Sequence, residues 1–118
     1  MSFKFEKLNV WHRSLDFAND IHLLTREWPK EELYILTSQI KRAADSVNLN
    51  IAEGSTGASA KHLSHFLGIA QRSLVEVVSC LYLAQKRNYL EASSFTKHYN
   101  EALEILKMIQ SFRKRISK

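Results

Sequence analysis

Gln39-Ile40-Lys41-Arg42-Ala43-Ala44-Asp45-Ser46-Val47-Asn48-Leu49-Asn50-Ile51-Ala52-Glu53-Gly54 is the stretch that decides the fold. Ile40, Ala43, Ala44, Val47, Ile51 and Gly54 recur at three- and four-residue steps, which is one face of an α-helix. Upstream, Leu33 and Leu36 carry the stripe back toward Pro29. Pro29 suits a first helical position, because the N–H it lacks would be unpaired there. Glu31 and Glu32 suit the positive end of the helix dipole, and Gly54 is a natural C-terminal stop. The spacing predicts a helix over 29–54.

Three flanking segments read the same way. Over 8–28, Val10, Phe17, Ile21, Leu24 and Trp28 form a stripe that Trp11, Leu15 and Ala18 widen. Arg13, Asp16, Asp20 and Glu27 lie opposite, and Asn9 suits an N-cap. Over 59–87, Ser59 suits a cap, and Leu63, Phe66, Leu67, Ala70, Leu74, Val77, Leu81 and Ala84 give the core face. Val75, Val78, Cys80, Tyr82 and Leu83 fill much of the remaining circumference, so this helix needs cover on more than one side. From 91 to the end, Tyr99, Ala102, Leu106, Ile109 and Ile116 recur at helical steps, with Phe95, Leu103, Ile105 and Phe112 beside them. Lys97, Glu104, Lys107, Ser111, Lys114 and Lys118 mark the wet face. Pro29, Gly54, Gly57 and Asn88 fall at the joints. Four amphipathic helices with short connections predict an all-α, antiparallel up-down-up-down four-helix bundle forming a single domain over 1–118.

The composition narrows the alternatives. With 3 Gly and 1 Pro in 118 residues, an all-β fold lacks turn material. Cys80 stands alone, which excludes an intramolecular disulfide and a Cys-based zinc site within one chain. The alternating charges of Met1-Ser2-Phe3-Lys4-Phe5-Glu6 do not read as a signal peptide. No uninterrupted apolar run approaches the ~20 residues of a membrane span, so the expectation is a cytoplasmic protein with no membrane partner. There is no Glu-x-x-His, no His-Glu-x-x-His, no Gly-x-Ser-x-Gly and no phosphate-binding loop. His62 and His65 could meet on a helix face, but two exposed or partly exposed histidines near a helix start are the plainer reading. Cys80, in an apolar run, reads as a small core residue. No catalytic residue, metal site or cofactor is expected.

Two polar features remain. Gln39, Arg42, Ser46, Asn50 and Glu53 form a stripe beside the apolar face of the second helix, with Arg72, Ser73 and Glu76 at similar depth on the third. They read either as a solvated face or as a partly buried network for packing or assembly, in which Arg42 pairs with Glu53 or Glu76. The second feature is charge. Seventeen Lys and Arg oppose twelve Asp and Glu, a net of +5. The excess gathers after residue 55, at Lys86-Arg87, Lys107 and Arg113-Lys114-Arg115. Basic residues favour a helix C-terminus for dipole reasons alone, and the same residues suit RNA or DNA phosphates.

Val10-Trp11, Trp28-Pro29 with Glu32 and Tyr34, Gln39-Ile40-Lys41-Arg42-Ala43-Ala44-Asp45-Ser46-Val47 and Asn50-Ile51-Ala52-Glu53-Gly54 resemble a family of small bacterial four-helix-bundle proteins. Phe66-Leu67, Ala70, Ser73-Leu74 and Glu76 match its third-helix pattern. The family includes the intervening-sequence proteins of ribosomal RNA genes and the accessory variability determinant of diversity-generating retroelements. The sequence departs from the pattern at Ile35 and Arg72, where Gly is usual, at His22, where Tyr is usual, and after Gly54, where Arg is common. The resemblance implies a homopentameric ring without catalysis. For retroelement members it implies nucleic-acid binding and a reverse transcriptase partner, which applies here only if the gene lies near a retroelement. Two functions follow: a non-enzymatic, oligomeric, basic nucleic-acid-binding accessory module, or a protein-interaction scaffold with no nucleic-acid role.

Overall fold

All four apolar stripes fold as helices and meet in one core. The computed structural model describes residues 1–117, and Lys118, assigned above to the wet face of the last helix, lies outside the described residues. The helices are α1 (Asn9–Leu24), α2 (Ser38–Gly54), α3 (Ala60–Lys86) and α4 (Ala92–Ile116). A 3-10 turn, Lys4–Lys7, precedes α1, and no strand occurs among the described residues.

Cross-helix contacts fix the directions. Between α1 and α2, Asn48 reaches Ser14 and Trp11 while Asp45 meets His22. Between α2 and α3, Gln39 bonds Glu76, Ser46 bonds Ser73, and Gly54 lies against Phe66. Between α3 and α4, Gln71 pairs with Arg113, and Tyr82 with Phe95 and Tyr99. In each pair one residue number rises as the other falls, so neighbouring helices are antiparallel. Packing runs α1–α2, α2–α3, α3–α4 and α4–α1, most extensive between α2 and α3. This is the four-helix bundle. Its 44 Å long axis matches α3, whose 27 residues span about 40 Å at 1.5 Å each.

The core holds Phe17, Ile21, Ile40, Val47, Ile51, Leu67, Leu74, Val77, Leu81, Ile105 and Ile109, all essentially fully buried. Burying an Ile or Leu side chain contributes about 1.5–3 kcal/mol. An exposed ion pair such as Lys107–Glu104 contributes about 0–1 kcal/mol. Apolar packing therefore dominates stability. α3 is long and apolar enough to cross a bilayer by length and composition, with a window of mean hydropathy 1.4. Its apolar character is interrupted by polar residues, as expected of a chain with no unbroken apolar run of that length. In the bundle its buried face is the centre of the core.

Helix ends follow local rules with some corrections. Ser59 caps α3 as expected, its Oγ accepting from the His62 N–H at 3.0 Å. Asn88 adopts φ 64 after α3. Tyr89 N–H donates to Ala84 O and Asn88 N–H to Gln85 O, the paired bonds of a Schellman ending. Asn9 is the first helical residue of α1 rather than its cap; Leu8 holds the capping position without a side-chain bond. Gly54 ends α2 without left-handed backbone. Its need for glycine is close approach, because a Cβ there would stand 2.8 Å from the Phe66 Cβ. Arg13, placed on the wet face, is half-buried and clamps Glu101 of α4 through two bonds of 2.9 and 2.7 Å.

The largest correction concerns 25–37. The chain leaves α1 through a 3-10 turn (Thr25–Glu27), extends at Trp28 before Pro29, then forms a 3-10 turn (Lys30–Glu32) and a π-helical turn (Leu33–Thr37). Proline disfavours helical backbone in the residue before it, so α1 cannot run through Trp28 into Pro29. The π turn breaks the register of the stripe, leaving Leu33, Tyr34 and Ile35 exposed while Leu36 is buried. Glu32, expected only to meet the helix dipole, is buried. Its carboxylate accepts from Tyr89 Oη at 2.8 Å, Arg87 Nη1 at 3.0 Å and Leu36 N at 3.4 Å. One acid thereby ties the α1–α2 joint to the α3–α4 joint.

The Tyr89 hydrogen bond, with the Leu36 N–H and Arg87, holds the Glu32 carboxyl below its ordinary range despite burial. A depressed folded-state value means the stabilisation is full above the ordinary carboxylate range and is lost as pH falls through the folded value. Glu32→Gln should lower Tm at pH 7 and flatten its decline as pH falls into and below the ordinary carboxylate range. Melting curves across that range check this; an acid limb parallel to that of the parent chain would refute it.

Candidate nucleic-acid interface

The antiparallel order separates the basic residues singled out in the sequence. Lys86 and Arg87 end α3, whereas Arg113, Lys114 and Arg115 end α4, at the opposite end of the bundle. Arg113 bonds Gln71 and lies over Gly68, and Lys86 stands 18 residues farther along α3, about 27 Å. The six cations do not form one surface.

Their surroundings differ as well. Arg87 is engaged by Glu32. Arg113, partly buried, crosses to α3, where its guanidinium donates to Gln71 Oε1 at 3.3 Å. Lys107 lies 3.5 Å from Glu104. Arg115 sits 5.3 Å from the Phe112 ring centroid, a cation–π distance. Lys86 and Lys114 are exposed, with no ion-pair partner among the described residues.

Lys107 and Arg115 meet partners the sequence did not suggest. With Lys7, they line a cavity of about 470 Å³ whose apolar lining includes Val10, Met108 and Phe112. A second cavity, of about 360 Å³, shares Leu8 and Phe112 with the first and is lined by Lys4 and by Ser59 and Ala60 at the start of α3. Among the described residues no carboxylate lines either cavity. The two form a basic trough with an apolar floor, and the positive end of the α3 dipole opens onto it. Gly57, at φ 88, lies under the Lys4 side chain, which a Cβ there would meet. Lys4 and Lys7 were missed because their segment reads only as alternating charge. Their proximity to α4 depends on the 3-10 turn, where Phe5 packs 4.6 Å from the Trp11 ring.

The polar stripe of α2 divides too. Ser46 Oγ meets Ser73 Oγ at 2.8 Å, and Asn50 Nδ2 donates to Ser46 Oγ and Ser46 O at 2.9 and 2.8 Å. The Gln39 amide donates to the Glu76 carboxylate. These bonds stitch α2 to α3. Arg42 and Glu53 are exposed, and the pairing of Arg42 with Glu53 or Glu76 does not form: the Gln39 amide, one turn away, occupies Glu76. His62 bridges the end of α2, its Nε2 lying 3.2 Å from Glu53 O and 3.4 Å from Thr56 Oγ1. His65 is exposed and packs edge-on against Phe66.

Cys80 is buried between the helices. Burial, reinforced by the nearby Glu76 charge, pushes its thiol up to about 11. The thiolate is the nucleophile, so the sulfur is both protonated and shielded at neutral pH. Labelling by an aromatic disulfide reagent at pH 8 should be slower than for the urea-unfolded chain by at least about two orders of magnitude. Rapid native labelling would contradict it.

A family model described as 23S rRNA-intervening sequence protein matches residues 6–111. No curated protein matches the chain.

Proposed function

The chain belongs to the 23S rRNA-intervening sequence protein family, and we propose that it is a non-enzymatic, cytoplasmic nucleic-acid-binding accessory module that grips phosphates along the Lys4/Lys7/Lys107/Arg115 trough. The observation that carries this reading is the absence of any lining carboxylate in two adjoining cavities bordered by four cations. Lys107 is paired with Glu104, but Lys4, Lys7 and Arg115 have no ion-pair partner among the described residues; phosphates relieve their mutual repulsion while releasing condensed counterions. The apolar floor at Leu8 and Phe112 suits a splayed base, whose π-face stacks without sequence preference. A reverse transcriptase enters as a partner only where a retroelement encodes one beside this gene.

Binding of RNA and DNA oligonucleotides should weaken linearly in log[salt]. Lys7→Ala/Lys107→Ala/Arg115→Ala should reduce the slope by about 2, at ~0.7 per single-strand phosphate contact. Fluorescence anisotropy between 50 and 200 mM salt measures it. An unchanged slope would move the surface elsewhere, and no binding at low salt would favour the scaffold role.

We further propose that the module is a homo-oligomer, with five subunits as the resemblance implies. The supporting feature is an unpartnered apolar groove between α3 and α4, about 160 Å³, lined by Val75, Val78, Tyr99, Leu103 and Leu106. Val75 is 61% exposed and Tyr82, beside it on α3, 55%, more apolar surface than an isolated helix face normally leaves wet. Light scattering should give a mass near five times the 13.7 kDa chain. Val75→Lys/Leu103→Lys should yield a folded, smaller species; a monomeric parent protein would overturn the assembly.

A further inference from the structure

A second basic cavity lies at the other end of α1. About 470 Å³ in volume, it is lined by His22, Arg26, Lys30 and Lys41, with Thr25, Trp28, Pro29, Leu33 and Thr37 completing the wall. It is built entirely from 22–41, the joint between α1 and α2. The trough at Lys7 and Arg115 shares no residue with it. Val10 of the trough and His22 of this cavity stand 12 residues apart on α1, about 18 Å.

Three of the basic side chains that line this cavity make no ion pair among the described residues. Arg26, Lys30 and Lys41 have no ion-pair or hydrogen-bond partner among the described residues, and Lys41 is partly buried. Of the neighbouring acids, Glu27 and Glu31 are exposed and do not line the space, and two others are bonded. Asp45 bonds His22 Nε2 at 3.0 Å, and Glu32 is held by Tyr89 and Arg87. No carboxylate lines the space. Three cations lining one space repel one another, and an anion that joins them relieves that repulsion.

We propose that this cavity binds a phosphate carried by a small molecule of nucleoside monophosphate size. A phosphate monoester brings nearly two negative charges and three acceptor oxygens, which answers three cations better than the single charge of a carboxylate. The volume falls within the ~300–1,000 Å³ typical of small-ligand sites. Pro29 and Leu33 supply apolar surface for the remainder of the ligand. The wall is held in place by local structure: Thr25 Oγ1 donates to His22 O at 3.0 Å, and the extended backbone at Trp28-Pro29 separates the turn that carries Arg26 from the turn that carries Lys30. The occupant is a small molecule because one short joint of the bundle forms the whole enclosure.

The test uses the full chain with inorganic phosphate, adenosine monophosphate and an RNA oligonucleotide as probes. Isothermal titration of the unmodified protein at low salt should give saturable phosphate and nucleotide binding with Kd of about 1 mM or tighter. In a Trp11→Phe background, Trp28 is the only tryptophan, and nucleotide should change its emission over the same range. Lys30→Ala/Lys41→Ala should weaken both signals about tenfold or more, with unchanged helical circular dichroism. Lys7→Ala/Lys107→Ala/Arg115→Ala should leave them intact, which separates this site from the trough. Absence of saturable binding, or binding indifferent to Lys30 and Lys41, overturns the proposal. So does loss of RNA binding in the Lys30/Lys41 variant when neither phosphate nor nucleotide binds, since that assigns the cavity to a nucleic-acid backbone.

Discussion

The close approach of α2 to α3 is the constraint on which the rest of the bundle depends. Gly54 allows contact with Phe66 that no Cβ would permit. One and two turns further along, Ile51 and Val47 are fully buried, and Ser46 meets Ser73 hydroxyl to hydroxyl. Ala43, Ala44 and Ala70 are buried as well. Interaxial distance follows the side chains at the contact, so these small residues bring the two axes close. α1 then docks on α2 through Ser14 and Asn48, and α4 on α3 through Gln71 and Arg113. The α1–α4 contact closes the ring, with the Arg13–Glu101 clamp across it.

Antiparallel packing also dictates the electrostatics. Each helix attracts cations to its C-terminal turn, and neighbouring C-termini fall at opposite ends. Charge that accumulates along the second half of the sequence therefore cannot form one patch. Arg87 and Arg113 serve packing: one neutralises a buried carboxylate, the other lies across a facing glycine. Lys107 and Arg115 line open space, where Lys4 and Lys7 join them from the opposite end of the sequence.

Much of this was legible in the sequence. The stripes centred on Ile40, Leu67 and Ile109 became the core because a period near 3.6 permits no other buried face. Ser59 and Asn88 marked helix ends through side-chain capping and tolerance of left-handed backbone. The 25–37 joint was not legible, because its shape follows from the Glu32 carboxylate bonding residues 55 and 57 positions away, which periodicity cannot register. The trough was hidden for a similar reason: Lys4 and Lys7 are more than a hundred residues from Arg115. Arg13 misled because the wet face of a lone helix is also where a neighbour can place a carboxylate.

The apolar groove and the basic trough share no lining residue, so filling one leaves the other open. On the proposed function, a single trough would reach only a few phosphates, and each contact would add a modest, salt-sensitive increment. Alone it would hold a strand weakly. Copies joined through the α3–α4 groove would present several troughs at fixed spacing, making each contact after the first effectively intramolecular. On the proposed function, the exposed apolar residues of α3 and the sparse cations at the bundle end would act as two parts of one device, with assembly supplying through repetition the grip that one trough lacks.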